Sequence, residues 1–214
     1  MTREKFQQDL AKLLNSVRIM GTNLEDTLDK VIKNLAEKDV SVAEAIIGAD
    51  DNFDNSEVDI EKQCLELVLI QTPVAGDWRE IASCLKLVGD MERIADHCSD
   101  ISQYTLRLAK RDNVPLPDNF MKMLGVMREM VYDAITAISE NDVELAKKVI
   151  ATDDVVDKYF HEMRQELTSM MQKYPQYVPQ YVDYLMISKY VERIADHSTN
   201  ICLLYTSDAA DDLT

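Results

Sequence analysis

The chain has 214 residues but only five glycines, five prolines and 7% aromatic residues, a composition that suits helices and leaves little material for turns between many strands. Its formal charge of −16 argues against nucleic acid as a partner, because a phosphate backbone calls for a basic stripe, and it disfavours contact with an anionic membrane surface. The longest apolar stretch, "CLELVLIQTPVA", is interrupted by Glu66 and Gln71 and is too short for a transmembrane helix.

The opening "MTREKFQQDLAKLL" lacks a secretory apolar core and reads as the start of an amphipathic helix. Phe6, Leu10, Leu13, Val17, Met20, Leu24, Leu28, Val31 and Leu35 follow each other by threes and fours, with charged residues opposite. A break is expected near Lys38–Asp39. A second helix then runs to about Thr72, where Pro73 ends it. A third spans about Val74 to Arg111, and "RDNVPLPDN" reads as the clearest linker of the sequence. Further helices are expected over Asn119–Glu140 and Asp142–Tyr174, and, after the break "YPQYVPQ", from Tyr181 onward. Cys64, Cys84, Cys98 and Cys202 form no Cys-x-x-Cys pair. They are read as reduced thiols rather than disulfides or zinc ligands, which points to a soluble cytoplasmic protein.

The two halves match each other. "EKDVSVAEAIIGADDNFD" (Glu37–Asp54) aligns without gaps on "ENDVELAKKVIATDDVVD" (Glu140–Asp157) at an offset of 103, and "ERIADH" occurs at Glu92–His97 and again at Glu192–His197, an offset of 100. A tandem duplication of a three-helix unit follows, giving an all-α fold of two three-helix bundles, six helices in all, related by a pseudo-twofold axis. The divisions are residues 1–111 for the first repeat, 112–118 for the linker and 119–201 for the second repeat. Residues 202–214 are read as a non-native tail. From Cys202 the pattern of the last helix is abandoned, and "CLLYTSDAADD" reads like the translation of a common transposase-derived sequencing adaptor. Without Asp208, Asp211 and Asp212 the charge would be −13.

Each half carries two carboxylate pairs at i, i+4: Asp50 with Asp54 and Glu92 with Asp96 in the first, Asp153 with Asp157 and Glu192 with Asp196 in the second. Such pairs share one helical face and repel. A hard cation held by oxygen ligands from two adjacent helices would relieve that repulsion. Asp100 extends the first stripe by one turn, whereas Asn200 stands at the equivalent place in the second, so the two sites need not be equal. The alternatives are a solvated acidic face and neutralisation by Arg93 and Arg193. His97 and His197 are read as capping or buried hydrogen-bonding residues rather than ligands. An enzyme is not expected: the sequence has no Glu-x-x-His pair, no glycine-rich phosphate loop and no Gly-x-Ser-x-Gly.

"QTPVAGDWREI" (Gln71–Ile81), "LKLVGDMERIADHCSDI" (Leu85–Ile101) and "MISKYVERIADHSTNI" (Met186–Ile201) together resemble the PhoU family, the phosphate-transport accessory proteins of bacteria. Trp78 departs from an aliphatic residue usual in that family, and the usual ending of the last helix is absent. The resemblance implies a homodimeric regulator that restrains the phosphate-starvation response. It would link the ATPase subunit of the phosphate ABC transporter to the sensor histidine kinase of the regulon. It also implies metal, iron or zinc first and manganese or magnesium as alternatives, on Asp50, Asp54, Glu92, Asp96 and Asp100 in one repeat and Asp153, Asp157, Glu192 and Asp196 in the other. The competing expectation is a metal-independent adaptor whose acidic faces dock basic partner surfaces. For Asp77, a place at the start of the third helix, where an anion suits the helix dipole, is role enough.

Overall fold

A computed structural model describes residues 3–70, 73 and 75–211. Gln71, Thr72 and Val74 of the family-like run and residues 212–214 of the tail lie outside the described residues. The described elements are α1 (Arg3–Glu37), α2 (Val40–Gly48), α3 (Asp50–Ile70), α4 (Ala75–Leu108), α5 (Asn119–Glu140), α6 (Val143–Lys173), a 3-10 turn at Pro175–Tyr177, and α7 (Val178–Asp211). Among these residues no helix is long and apolar enough to cross a membrane.

The apolar stripe of α1 is buried from Phe6 to Leu35 without exception, and Leu13, Leu24 and Leu28 are wholly enclosed. This stripe packs on α3 and α4. Helices α5, α6 and α7 form the second bundle, and α4 lies along α7 in the most extensive helix contact of the molecule. The duplication is therefore closed by its two ERIADH helices. Gly21 lets α1 approach α5: a Cβ there would stand 3.1 Å from Ile135 Cγ2 and 3.5 Å from Met91 Cε. Arg128 of α5 donates to Asp29 of α1 (Nη2–Oδ2 3.0 Å), and Tyr132 donates to the same oxygen at 3.0 Å.

The turn between the first two helices of each unit is duplicated in its backbone. Lys38 (φ 53°) and Asn141 (φ 56°) both take the left-handed conformation. Asp39 and Asp142, the next residues, accept hydrogen bonds from the first backbone amides of α2 and α6. One break was not expected from the sequence. The second helix of the first repeat is interrupted at Ala49, dividing α2 from α3, whereas α6 is continuous. The physical reason lies in composition: Gly48 stands where the second repeat has Ala151, and glycine in a helix costs roughly 0.5–1 kcal/mol relative to alanine. The last helix begins at Val178, three residues before the expected Tyr181, and continues unbroken past Ile201, with Cys202 buried. All four cysteines are buried and free. Asp77 does more than open α4: it is buried and accepts a bidentate pair from Arg3 of α1, with Nη2–Oδ1 at 2.9 Å.

Candidate metal centres

The carboxylate pairs lie where the second and third helices of each repeat meet. On α4 the apolar positions Val88, Met91, Ile94, Ala95 and Cys98 are buried. They press the helix into the core, and residues Glu92 and Asp96, one turn apart, face α3 at the edge of that stripe. Asp54 of α3 completes a set: carboxylate oxygens of Asp54, Glu92 and Asp96 all lie within 4.8 Å of one another. The second repeat reproduces the set with Asp157, Glu192 and Asp196. Asp50, Asp100 and Asp153 fall outside these triads. Asp50 nevertheless shares their field, since the charges of Asp96, Asp54 and Asp100 all act on it. Asp100 lies 3.5 Å from Nδ1 of His97.

The electrostatics are those of anions forced together. Burial, followed by the charge of Asp96, pushes the Glu92 carboxyl up to about 7, with Arg93 opposing. Burial and the charges of Asp96 and Asp54 raise Asp50 to about 6. In the second repeat burial and Glu192 raise Asp196 to about 6, and burial and Asp157 raise Asp153. Partial relief comes from side chains. Arg93 donates to Asp96 (Nη1–Oδ2 2.9 Å), and its Nε stands 3.3 Å from Glu92 Oε2. Yet Glu92 Oε2 accepts no hydrogen bond, although its side chain is only 9% exposed. A buried carboxylate oxygen without a hydrogen bond is costly.

These residues fit a cation. An ion bound at about 2.0–2.6 Å from each oxygen brings its ligand oxygens within about 4–5 Å of one another, the spacing found in both triads. The donor set is oxygen alone. It suits hard ions such as magnesium or manganese better than zinc, which usually takes histidine or cysteine ligands.

Sequence reasoning missed two charged residues at these sites. Glu57, one turn after Asp54 on α3, acts on Glu92, and its own carboxyl is raised first by burial and then by Glu61. Its Oε1 lies 3.5 Å from the point where a Cβ of Gly89 would stand. In the second repeat the corresponding residues are Phe160 and Lys189. The Lys189 ammonium bonds to Glu192 Oε2 and lies 5.3 Å from the centre of the Phe160 ring. The signal was available: Gly89 and Lys189 each precede their glutamate by three residues, on the same helical face.

The histidines of the two hexapeptides do not join the triads. They meet each other at the α4–α7 seam, ring centres 5.6 Å apart. His197 Nδ1 lies 2.8 Å from Asp90 Oδ1, as donor to the carboxylate. Burial, opposed by Asp100 and reinforced by the nearby His197, lowers His97 below the usual imidazole value. His97 is buried and His197 half-buried, and each lies beside a carboxylate, Asp100 and Asp90 respectively.

Comparison with known proteins gives one consistent result. The chain matches the PhoU domain family over residues 17–105 and again over 120–204. It is 32% identical over 203 residues to a phosphate-specific transport system accessory protein PhoU homolog of Clostridium acetobutylicum, covering 94% of this chain and 93% of that protein. A homolog of the same description from Aquifex aeolicus is 32% identical over 189 residues, 88% of this chain and 86% of that protein. Among solved structures, PhoU from Pseudomonas aeruginosa superposes with a TM-score of 0.92 at 25% identity, over 96% of this chain and 99% of that one. The phosphate transport system regulatory protein PhoU from Streptococcus pneumoniae gives 0.89 at 26% identity, over 98% of this chain and 99% of that one. Two family matches, an internal duplication and an all-helical fold shared along nearly the whole chain have one reading: this chain belongs to the PhoU family.

Proposed function

We propose that this protein is an accessory regulator of phosphate uptake, without catalysis of its own, that carries metal ions on the acidic faces of its two repeats. The observation that carries the metal part is the carboxylate triad built twice from the same pair of helices, with a buried, hydrogen-bond-free oxygen in one copy. The regulatory part rests on the relatives, which are phosphate-specific transport system accessory proteins. Asp54, Glu92 and Asp96 would hold one ion and Asp157, Glu192 and Asp196 the other; Asp50, Asp100 and Asp153 stand outside and tune the field. The ion supplies positive charge at a face that otherwise repels itself. The oxygen-only donors favour manganese, magnesium or iron over zinc.

In this reading the protein works on the cytoplasmic side, as a homodimer. It would meet the ATPase subunit of the phosphate ABC transporter and the sensor histidine kinase, and repress the phosphate-starvation regulon when phosphate is plentiful. The repeats would divide at residues 112–118. Elemental mass spectrometry on protein purified without metal-affinity resin, compared with the double variant Asp96→Ala, Asp196→Ala, tests the metal. A phosphate-regulon reporter in cells carrying the same folded variant tests the role. Stoichiometric metal lost in the variant, with derepression of the reporter, supports both; normal repression by the variant sinks the regulatory part.

A second reading keeps the adaptor and drops the metal. Arg93 already braces Asp96, and Lys189 Glu192, so the acidic faces could dock basic surfaces of a partner directly. That reading expects binding to the transporter ATPase to persist in chelator while weakening with salt.

A further inference from the structure

Resting on the metal reading above, we infer that the two triads are not equivalent, because Lys189 is a tethered cation that already occupies the second one, leaving the first as the high-affinity divalent-cation site.

The two triads come from identical motif residues, so the difference must lie in what surrounds them. In the second repeat the Lys189 ammonium bonds to Glu192 Oε2, its charge acts on Asp196, and the Phe160 ring lies beneath it at 5.3 Å. Two ligands of the triad therefore face the same internal positive charge. An aromatic face adds its own attraction for an ammonium, and the lysine side chain is only 35% exposed.

The first repeat is built the other way. Gly89 replaces the lysine and offers no side chain. Glu57 replaces the phenylalanine and adds a further carboxylate whose charge reaches Glu92. Asp100 remains acidic where the second repeat has Asn200. Arg93 is the one cation seen pairing with this triad among the described residues, and its side chain is 59% exposed. An arginine so placed can swing into solvent at little cost, since an exposed ion pair contributes little. A cation entering the first site meets more negative charge and no fixed competitor. One entering the second must displace an ammonium that is held on two sides.

The test is equilibrium binding of Mn²⁺ to the full chain, read by dialysis with elemental analysis and by the electron paramagnetic resonance of free Mn²⁺. The wild type is expected to bind one ion tightly, lost in Asp96→Asn, and a second at least about tenfold more weakly, lost in Asp196→Asn. Lys189→Met, which keeps the length of the side chain without its charge, should tighten the second site by about tenfold or more and leave the first unchanged. Gly89→Lys should weaken the first. Two sites of equal affinity in the wild type, unmoved by Lys189→Met, would overturn the inference while sparing the metal reading. Failure of every variant to bind Mn²⁺ would remove the metal reading itself, and this inference with it.

Discussion

In the first repeat Glu92 and Asp96 face Glu57 across the space that Gly89 leaves open, and the cation beside them, Arg93, stands largely in solvent. In the second, Phe160 and Lys189 hold those two flanking positions, and an ammonium sits on Glu192. Around both, the apolar scaffold is alike: Ile94 and Ala95 are buried as Ile194 and Ala195 are. Duplication has thus kept the packing and the hexapeptide while the charge of the neighbouring residues has diverged. Packing needs only an apolar volume at a buried position, and one triad does not constrain what stands one turn away from the other.

The most damaging way to probe this comparison is to cut the shared scaffold. Ile94→Ala and Ile194→Ala each remove a fully enclosed side chain and are expected to cost about 2–5 kcal/mol each, measured by urea unfolding. A large loss at one site with none at the other would break the claim that the repeats are packed alike.

The charges should separate the repeats where the packing does not. Glu92, Asp50 and Asp196 have native carboxyls raised to about 7, 6 and 6 from ordinary values of 4.5, 3.8 and 3.8. Between about pH 4 and 7 the native state therefore binds more protons than the unfolded chain, and stability of the metal-free protein falls as pH rises through that window. Below it, where both states are protonated, the penalty vanishes. Thermal melts of chelator-treated protein should show a midpoint that declines from pH 5 to 7.5. Glu92→Gln should flatten the decline, because it removes a carboxyl raised to about 7. Mn²⁺ added at pH 7.5 should restore the midpoint, because a metal takes only the ionised form. A decline unchanged in Glu92→Gln would break the link between this carboxyl and the pH dependence.

The smallest expected effect sharpens the comparison at the duplicated turn. Lys38 and Asn141 share a left-handed backbone, which asparagine adopts more readily than lysine. Lys38→Gly should stabilise the protein by about 0.5–1 kcal/mol and Asn141→Gly by only a few tenths, both read as shifts in the urea midpoint.

Much of this architecture was legible in the sequence. The α1 stripe from Phe6 to Leu35 is continuous, and its period dictates the buried face directly. The pairing of Glu92 with Asp96 and of Glu192 with Asp196 followed from i, i+4 spacing together with the repeat; the choice of Asp54 and Asp157 over Asp50 and Asp153 did not. What stayed hidden has physical causes. The interruption at Ala49 arises from a single glycine whose helix penalty is about the size of one surface contact, too small for a pattern to announce. Asp50, Asp100 and Asp153 share a helix face with the triads, yet spacing along one helix does not say how far a neighbouring helix will reach. Glu57 and Lys189 lay in plain view, but identity between the repeats drew the reading to what had been conserved within the chain. The difference in charge between the two triads lies in the positions that had changed.

The seam between α4 and α7 has a consequence for the history of such a chain. Its most extensive contact joins one half to the other, and the bond between His197 and Asp90 crosses it, as does Arg111 donating to Asp183 at 3.2 Å. A half-length ancestor, alone, would have left that flank in water, and self-association, one copy's ERIADH helix lying along another's, would cover it. Fusion of the two genes would have turned an encounter between molecules into a permanent one, and freed each half to change without its twin changing too.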